Sequence, residues 1–277
     1  FEAGKKYTIQ VKGDLEVPVH GNNLKPIILN GDITIEGNGH KITGADGGEQ
    51  GDRFINIIDG NINIKNLDFD GSDKYAGILS DNTDAAHKPS LNISDCNFTN
   101  LNTKSTDELY SNSGGPAISV VNTDIEAKRV NVSDSTGSIY GGGFYIAVTN
   151  YDLSGGTYVL QECNFTNCKA GAGGGAIALS TFTGVTVSIG KEMKNTLYIK
   201  GCVIDGCKSD MIGGAMFLAE RTKTIITDSA YIDSDSKKVE KRSEIRNCSS
   251  EERGAAIYFQ YAKLKIQAGT IIKNCFD

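Results

Sequence analysis

One pattern recurs five times along the chain: apolar-x-apolar-x-x-apolar-x-apolar. It reads Ile62-Ile64-Leu67-Phe69, Leu91-Ile93-Cys96-Phe98 and Ile125-Ala127-Val130-Val132. It returns as Tyr158-Leu160-Cys163-Phe165 and Leu197-Ile199-Cys202-Ile204. Within each half the apolar residues alternate, the period of a strand with one buried face. Between the halves the parity slips by one residue. A straight strand would then turn its second half inside out. A strand that bends at the slip keeps both halves facing one core. The same bend in every repeat predicts a chain that winds into a coil, and strand-built coils make a parallel β-helix.

From Phe69 through Phe98, Val132 and Phe165 to Ile204 the steps are 29, 34, 33 and 39 residues. Each step accommodates one coil of short strands plus a loop of variable length. A glycine-led element keeps the same register: Gly115-Pro116-Ala117-Ile118, Gly142-Gly143-Phe144-Tyr145, Gly174-Gly175-Ala176-Ile177, Gly213-Gly214-Ala215-Met216 and Gly254-Ala255-Ala256-Ile257. Glycine there permits backbone angles that a Cβ would forbid. The last coil closes with Leu264, Ile266 and Ile272, and the first runs through Ile27-Ile28-Leu29, Ile33-Thr34-Ile35 and Ile42, with a turn at Gly37-Asn38-Gly39-His40. Glycine is 33 of 277 residues and is scattered through every segment, which argues against helices. The expected fold is all-β: a single right-handed parallel β-helix of about eight or nine coils over residues 27–277, with 1–26 as an N-terminal cap. Tyr7 to Val11 alternates and reads as a strand within that cap.

Net charge is −6 with acidic and basic residues mixed. No basic stripe is present, so nucleic acid is not an expected partner. No apolar run approaches transmembrane length. The chain begins at Phe1 without a methionine, which fits a trimmed precursor or an excised fragment.

Cysteines fall in two columns of the repeat. Cys96, Cys163 and Cys202 share one, and Cys168, Cys207, Cys248 and Cys275 share another. Stacked residues sit about 4.8 Å apart, within disulfide range. Candidate bridges are Cys163–Cys202, Cys168–Cys207 and Cys248–Cys275. The alternative is a file of small, buried, unbridged side chains beside Leu101 and Val130.

The segment Cys163-Asn164-Phe165-Thr166-Asn167-Cys168-Lys169-Ala170, followed by Gly173-Gly174-Gly175-Ala176-Ile177, resembles the repeats of polymorphic membrane proteins. Those are β-helical surface adhesins marked by Phe-x-x-Asn and Gly-Gly-Ala-Ile. Asn97-Phe98-Thr99-Asn100 and Gly213-Gly214-Ala215-Met216 are weaker copies, and Cys168 stands where the family has asparagine. The resemblance spans residues 91 to 275. It implies an extracellular or cell-surface protein acting in adhesion, with a protein or glycan on a host or neighbouring cell as partner. A structural spacer is the related expectation. Such motifs report coil geometry rather than activity.

Parallel β-helices also include pectin-degrading hydrolases and lyases, which supplies the alternative function. Asn122-Thr123-Asp124 matches a polygalacturonase triplet, but no Asp-Asp, Gly-His-Gly or Arg-Ile-Lys accompanies it. The plainer expectation is a turn before the strand from Ile125. Gly171 to Gly175 lacks the lysine and helix of a phosphate loop and reads as a coil corner. A lyase of this kind usually needs calcium. Asp68, Asp70 and Asp73 are the candidate calcium ligands, with an ordinary acidic turn as the competing expectation. His20, His40 and His87 lie in turn-rich or loop segments.

Three inserts follow the glycine-led strands: Thr149 to Thr157, Thr181 to Thr196 and Arg221 to Ser243. Loops on a solenoid tend to gather on one edge. Their aromatic residues Tyr151, Phe182 and Tyr231 are candidate ligand contacts. Asn92, Asn97, Asn131, Asn164 and Asn247 head Asn-x-Ser/Thr sequons. They are glycosylation acceptors if the source modifies asparagine. A third expectation is end-to-end self-association into a filament, because the terminal coils of a solenoid leave strand edges open.

Overall fold

The computed structural model describes residues 5–82, 88–103, 114–149, 156–181, 195–219, 221–232 and 237–277. Among them the chain is all-β, without a helix, and its strands stack in parallel into a β-helix-like solenoid. Sheet 1 has sixteen strands, sheet 2 has eight and sheet 3 has four. One turn of chain crosses sheet 1 twice, then the short sheet 3, then sheet 2. Thus Asp124–Lys128 and Asn131–Ser133 lie in sheet 1, Thr136–Gly137 in sheet 3 and Phe144–Val148 in sheet 2.

The parity slip is a corner, and one residue makes it. Asn66, Asp95, Arg129, Glu162 and Gly201 occupy the slip in successive rungs, and all have positive φ, from 51° to 60°. A left-handed residue turns the chain while leaving the strands on both sides extended. The two halves then present their alternate side chains to one interior. A second left-handed column, Asn100, Asp134, Asn167, Gly206 and Asn247, turns the chain from sheet 1 towards sheet 3. Asparagine and aspartate tolerate this conformation better than other non-glycine residues. Four glycine-led elements start on a third column, Gly115, Gly174, Gly213 and Gly254; in the remaining rung the column is Gly141, one residue before the expected start, and all five have positive φ.

Register is direct. Phe69 pairs with Phe98, Phe98 with Val132, Val132 with Phe165 and Phe165 with Ile204. All five are essentially inaccessible and stand in one interior file. Phe69 and Phe98 stack with ring centroids 4.4 Å apart and planes 2° apart. Leu264 and Ile272 continue the interior columns from Thr224 and Ile245. The turn expected at Gly37-Asn38-Gly39-His40 lies inside the strand Asp32–Gly44, as an irregularity between Glu36 and His40 against the neighbouring rung. Residues 1–26, expected as a cap, contribute Lys6–Gln10 and Leu15–Val17 to sheet 1, in parallel register with Asp32–Gly44.

One expected insert is corrected. Arg221 to Ser243 is not all loop: Thr222–Thr227 is a full rung strand of sheet 1, between Asn195–Lys200 and Lys263–Ile266. Its inward residues are Thr222, Thr224 and Ile226, so the apolar pattern that marks other rungs is lost. Both threonines are β-branched and suit a strand; Thr222 Oγ1 donates to Ala219 O at 2.7 Å, whereas Thr224 Oγ1 is buried without a hydrogen-bond partner among the described residues. The true insertion is an antiparallel hairpin, Ser229–Ile232 with Lys238–Lys241, and it leaves from the parity corner.

Candidate functional site

The outward residues of sheet 1 form columns along the solenoid. One runs Asn63, Asn92, Glu126, Val159 and Tyr198; the column beside it includes Asn61, Ser90 and Asp124, and Thr157 with Thr196. Between three of these strands lies a shallow groove of about 190 Å³, lined by Ser90, Asn92, Asp124, Ile125, Glu126, Thr157 and Val159. Strand alternation puts Asp124 and Glu126 on the same face, two residues or about 7 Å apart.

Lys88 is paired with one of the lining residues, Asp124. Its Nζ lies 2.6 Å from Asp124 Oδ1, and its side chain is mostly buried. It also stands 5.5 Å from the centroid of the Tyr158 ring. Tyr158 is an interior residue whose phenol reaches this corner; Oη is buried and has no hydrogen-bond partner among the described residues. Burial, together with the nearby Asp124 carboxylate, pushes the Tyr158 phenol above its ordinary value. Lys88 Nζ and Tyr158 Oη fill the space beside Gly156, where a Cβ would overlap both.

Asn122 and Thr123 take the turn role expected for them. Asn122 has φ 51°. Its Nδ2 donates to Asn82 O at 3.0 Å, and Thr123 Oγ1 bonds Ser80 Oγ at 2.8 Å, both buried. Only Asp124 of the triplet reaches the outer face.

The acidic cluster at Asp68, Asp70 and Asp73 is occupied with structural work. Asp68 accepts from Asn97 Nδ2 at 2.7 Å. Asp70 accepts the Ser72 amide at 3.1 Å and lies 3.7 Å from Lys41 Nζ. Asp73 sits in the turn with φ 61°. Among the described residues no group of three His, Cys, Asp or Glu side chains is placed to hold a metal ion.

All seven cysteines are unbridged. Cys163, Cys202, Cys168, Cys207 and Cys248 are buried, and Cys275 is partly so. The Cys163 amide approaches Cys202 Sγ at 3.4 Å across adjacent rungs. Burial pushes the Cys163 and Cys207 thiols well above their ordinary value and Cys96 up to about 12.

Three sequon asparagines make an amide ladder on the second half of sheet 1. Asn131 Nδ2 donates to Asn97 Oδ1 at 2.8 Å, and Asn164 Nδ2 to Asn131 Oδ1 at 2.7 Å. Asn247 donates to Asp205 Oδ1 at 2.7 Å. Asn92 instead lines the groove. Of the candidate aromatic contacts, Tyr151 and Phe182 lie outside the described residues. Tyr231 lies in the hairpin, its backbone paired with Val239. His20 is exposed in a short hairpin, and His40 Nδ1 stands 3.4 Å from Asp14; His87 is outside the described residues.

Two groups were not legible as candidates. Arg53 is buried, and its guanidinium donates to the carbonyls of Gly115 and Gly114, both at 2.9 Å. Desolvation lowers it to about 9. The groove itself was readable only by aligning the outward x positions of the repeat, a signal overshadowed by the inward ones.

No protein-family model matches this chain, and no curated protein matches it. Among solved structures, ORF18 of Geobacillus virus E2 is similar with a TM-score of 0.32 and 13% identity, over 99% of this chain and 54% of that one. This chain thus spans about half the length of ORF18. The A-module of the mannuronan C-5 epimerase AlgE4 from Azotobacter vinelandii is similar with a TM-score of 0.26 and 11% identity, over 98% of this chain and 86% of that one. No helix among the described residues is long and apolar enough to cross a membrane.

Proposed function

We propose that this chain is a non-enzymatic β-helix protein of the extracellular space or cell surface, adhesin-like or acting as a structural spacer. In this reading the helix is right-handed, has about eight or nine coils and is capped by residues 1–26. Its partner is a protein or glycan on a neighbouring surface.

The observation that carries the reading is how the outward polar side chains are used. Asn97, Asn131 and Asn164 bond one another from rung to rung, and Asp68 ends the ladder. Asn167 donates to Asp134 at 3.2 Å, and Arg129 forms a bidentate pair with Asp95 at 2.5 and 2.7 Å. These contacts run along the solenoid axis. Side chains tied in this way stiffen a face rather than turn over a substrate. The purified chain is expected to bind intact cells or their surface extracts and to leave pectic and uronic polysaccharides uncleaved, with and without calcium. Turnover of any of them would discard this reading.

One observation favours the polysaccharide-enzyme alternative. Lys88, Asp124 and Glu126 place an ammonium and two carboxylates beside one groove, which are residue types suited to proton transfer. The same turnover assay decides it. The filament alternative draws on Phe259, Ile266, Ile272 and Phe276, exposed on the last rungs. It predicts concentration-dependent rods in the electron microscope, and a strict monomer at high concentration would end it.

A further inference from the structure

We propose that the groove on the outer face of sheet 1, continued one rung to Tyr198, is a binding subsite for an extended, uncharged glycan. The proposal rests on the surface-binding reading above and names the ligand class and the face that takes it.

Shape selects an extended ligand. At about 190 Å³ the groove is far larger than the ~10–15 Å³ that holds one water. It is smaller than the ~300–1,000 Å³ pockets that bury compact small molecules. Its lining spans three stacked strands, with Asn92, Glu126 and Val159 in one column, so a ligand there crosses from rung to rung. Rungs repeat about every 4.8 Å, close to the length of one sugar unit in an extended chain. Successive sugars would therefore meet equivalent outward positions.

Chemistry selects a sugar. Asn92 and Glu126 offer amide and carboxylate groups to hydroxyls. Val159 and Tyr198, adjacent in the same outward column, offer apolar surface to the C–H face of a pyranose ring. A peptide strand does not fit, because strand addition needs a free edge. Asn92, Glu126 and Val159 lie on central strands, each paired on both sides. A polyanion does not fit either. Lys88 is already paired with Asp124, and Glu126 adds a second carboxylate.

The test measures binding of uncharged xylo-, manno-, cello- and N-acetylchito-oligosaccharides to the purified chain, with oligogalacturonate as the charged comparison. Glu126→Ala and Tyr198→Ala are measured beside it, with thermal melts to show that both fold. At least one uncharged oligosaccharide is expected to bind in preference to oligogalacturonate. Each substitution is expected to weaken it by about tenfold or more. Three outcomes overturn the proposal: no uncharged oligosaccharide binding up to about 10 mM, binding that neither folded variant weakens, or a preference for oligogalacturonate. Adhesion to cells stripped of surface glycan, measured in parallel, separates the two claims. If that adhesion persists while oligosaccharides fail, the subsite falls alone; if both fail, the surface-binding reading falls too.

Discussion

Lys241 Nζ lies 2.9 Å from Glu162 Oε2, although the two residues belong to different rungs and Lys241 sits on the inserted hairpin. The parity corner explains how they meet. Asp95, Arg129 and Glu162 stack there with alternating charge, and Gly201 follows without a side chain. Ser229 and Lys241 fill that vacancy: a Cβ on Gly201 would approach Ser229 Cβ to 2.7 Å. Ser229 Oγ donates to Glu162 Oε1 at 3.0 Å and completes the clasp.

The clasp makes hairpin docking acid-sensitive. Burial alone would raise the Glu162 carboxyl, but hydrogen bonds from Lys241, Ser229 and Gln161 outweigh it and hold it below its ordinary value. A carboxylate with a lowered folded-state pKa adds stability above its unfolded value and loses it as pH falls through the folded value. Protection of residues 229–232 and 237–241 against hydrogen exchange, corrected for the intrinsic rate at each pH, is therefore expected to fall below about pH 4, where unperturbed glutamate protonates. Glu162→Gln is expected to cost about 2 kcal/mol and to flatten that pH response. Equal pH dependence in wild type and variant would remove Glu162 as its source.

The interior file makes a separate prediction. Phe98 is inaccessible and stacks on Phe69. Phe98→Ala should cost about 3–5 kcal/mol through lost burial and a cavity. Phe98→Leu, nearer in volume, should cost less than about half of that. Urea unfolding checks both, and a Phe98→Ala loss below about 1 kcal/mol would contradict the stacked core.

The inward pattern was legible because core packing repeats the same residue types at the same offset. Phe69, Phe98 and Phe165 betray the file directly. The rung at Thr222–Thr227 escaped because two buried threonines replaced its apolar signal. Arg53 escaped for a related reason: backbone carbonyls, invisible in a residue string, are what hold it. The groove depends on outward residues that differ from rung to rung, Asn92 beside Glu126 beside Val159. Solvent leaves such positions free to vary, so no repeat announces them. The acidic cluster has partners that the residue string does not display. Asp68 and Asp70 do share a face, yet neighbouring rungs supply their partners.

Thiol chemistry offers a third check. Thiolate, not thiol, is the reactive form. Burial raises the Cys163 and Cys207 thiols, and a hydrogen bond with Cys207 together with burial raises Cys248, leaving little thiolate at neutral pH. In native protein an aromatic disulfide reagent should modify Cys275 first, since it alone of the seven is only partly buried. The other six should react at the rate of unfolding and become accessible in denaturant. Fewer than seven reactive thiols in the denatured, unreduced chain would show that bridges such as Cys168–Cys207 form after all.

The glycine column can be tested with an internal control. Gly174 has φ 71°, and a Cβ there would overlap the Ile177 carbonyl. Gly39 has φ 78°, but a Cβ there would meet nothing within 4 Å. Alanine at Gly39 should cost only the left-handed conformation, about 1–2 kcal/mol. Alanine at Gly174 adds a backbone collision that only a shift of the coil can relieve. Gly174→Ala should therefore exceed Gly39→Ala by at least about 1 kcal/mol in urea unfolding. Equal losses would mean that the third corner tolerates a side chain. Its glycines would then be needed for backbone angle alone, not for the close approach of the Ile177 carbonyl within the turn.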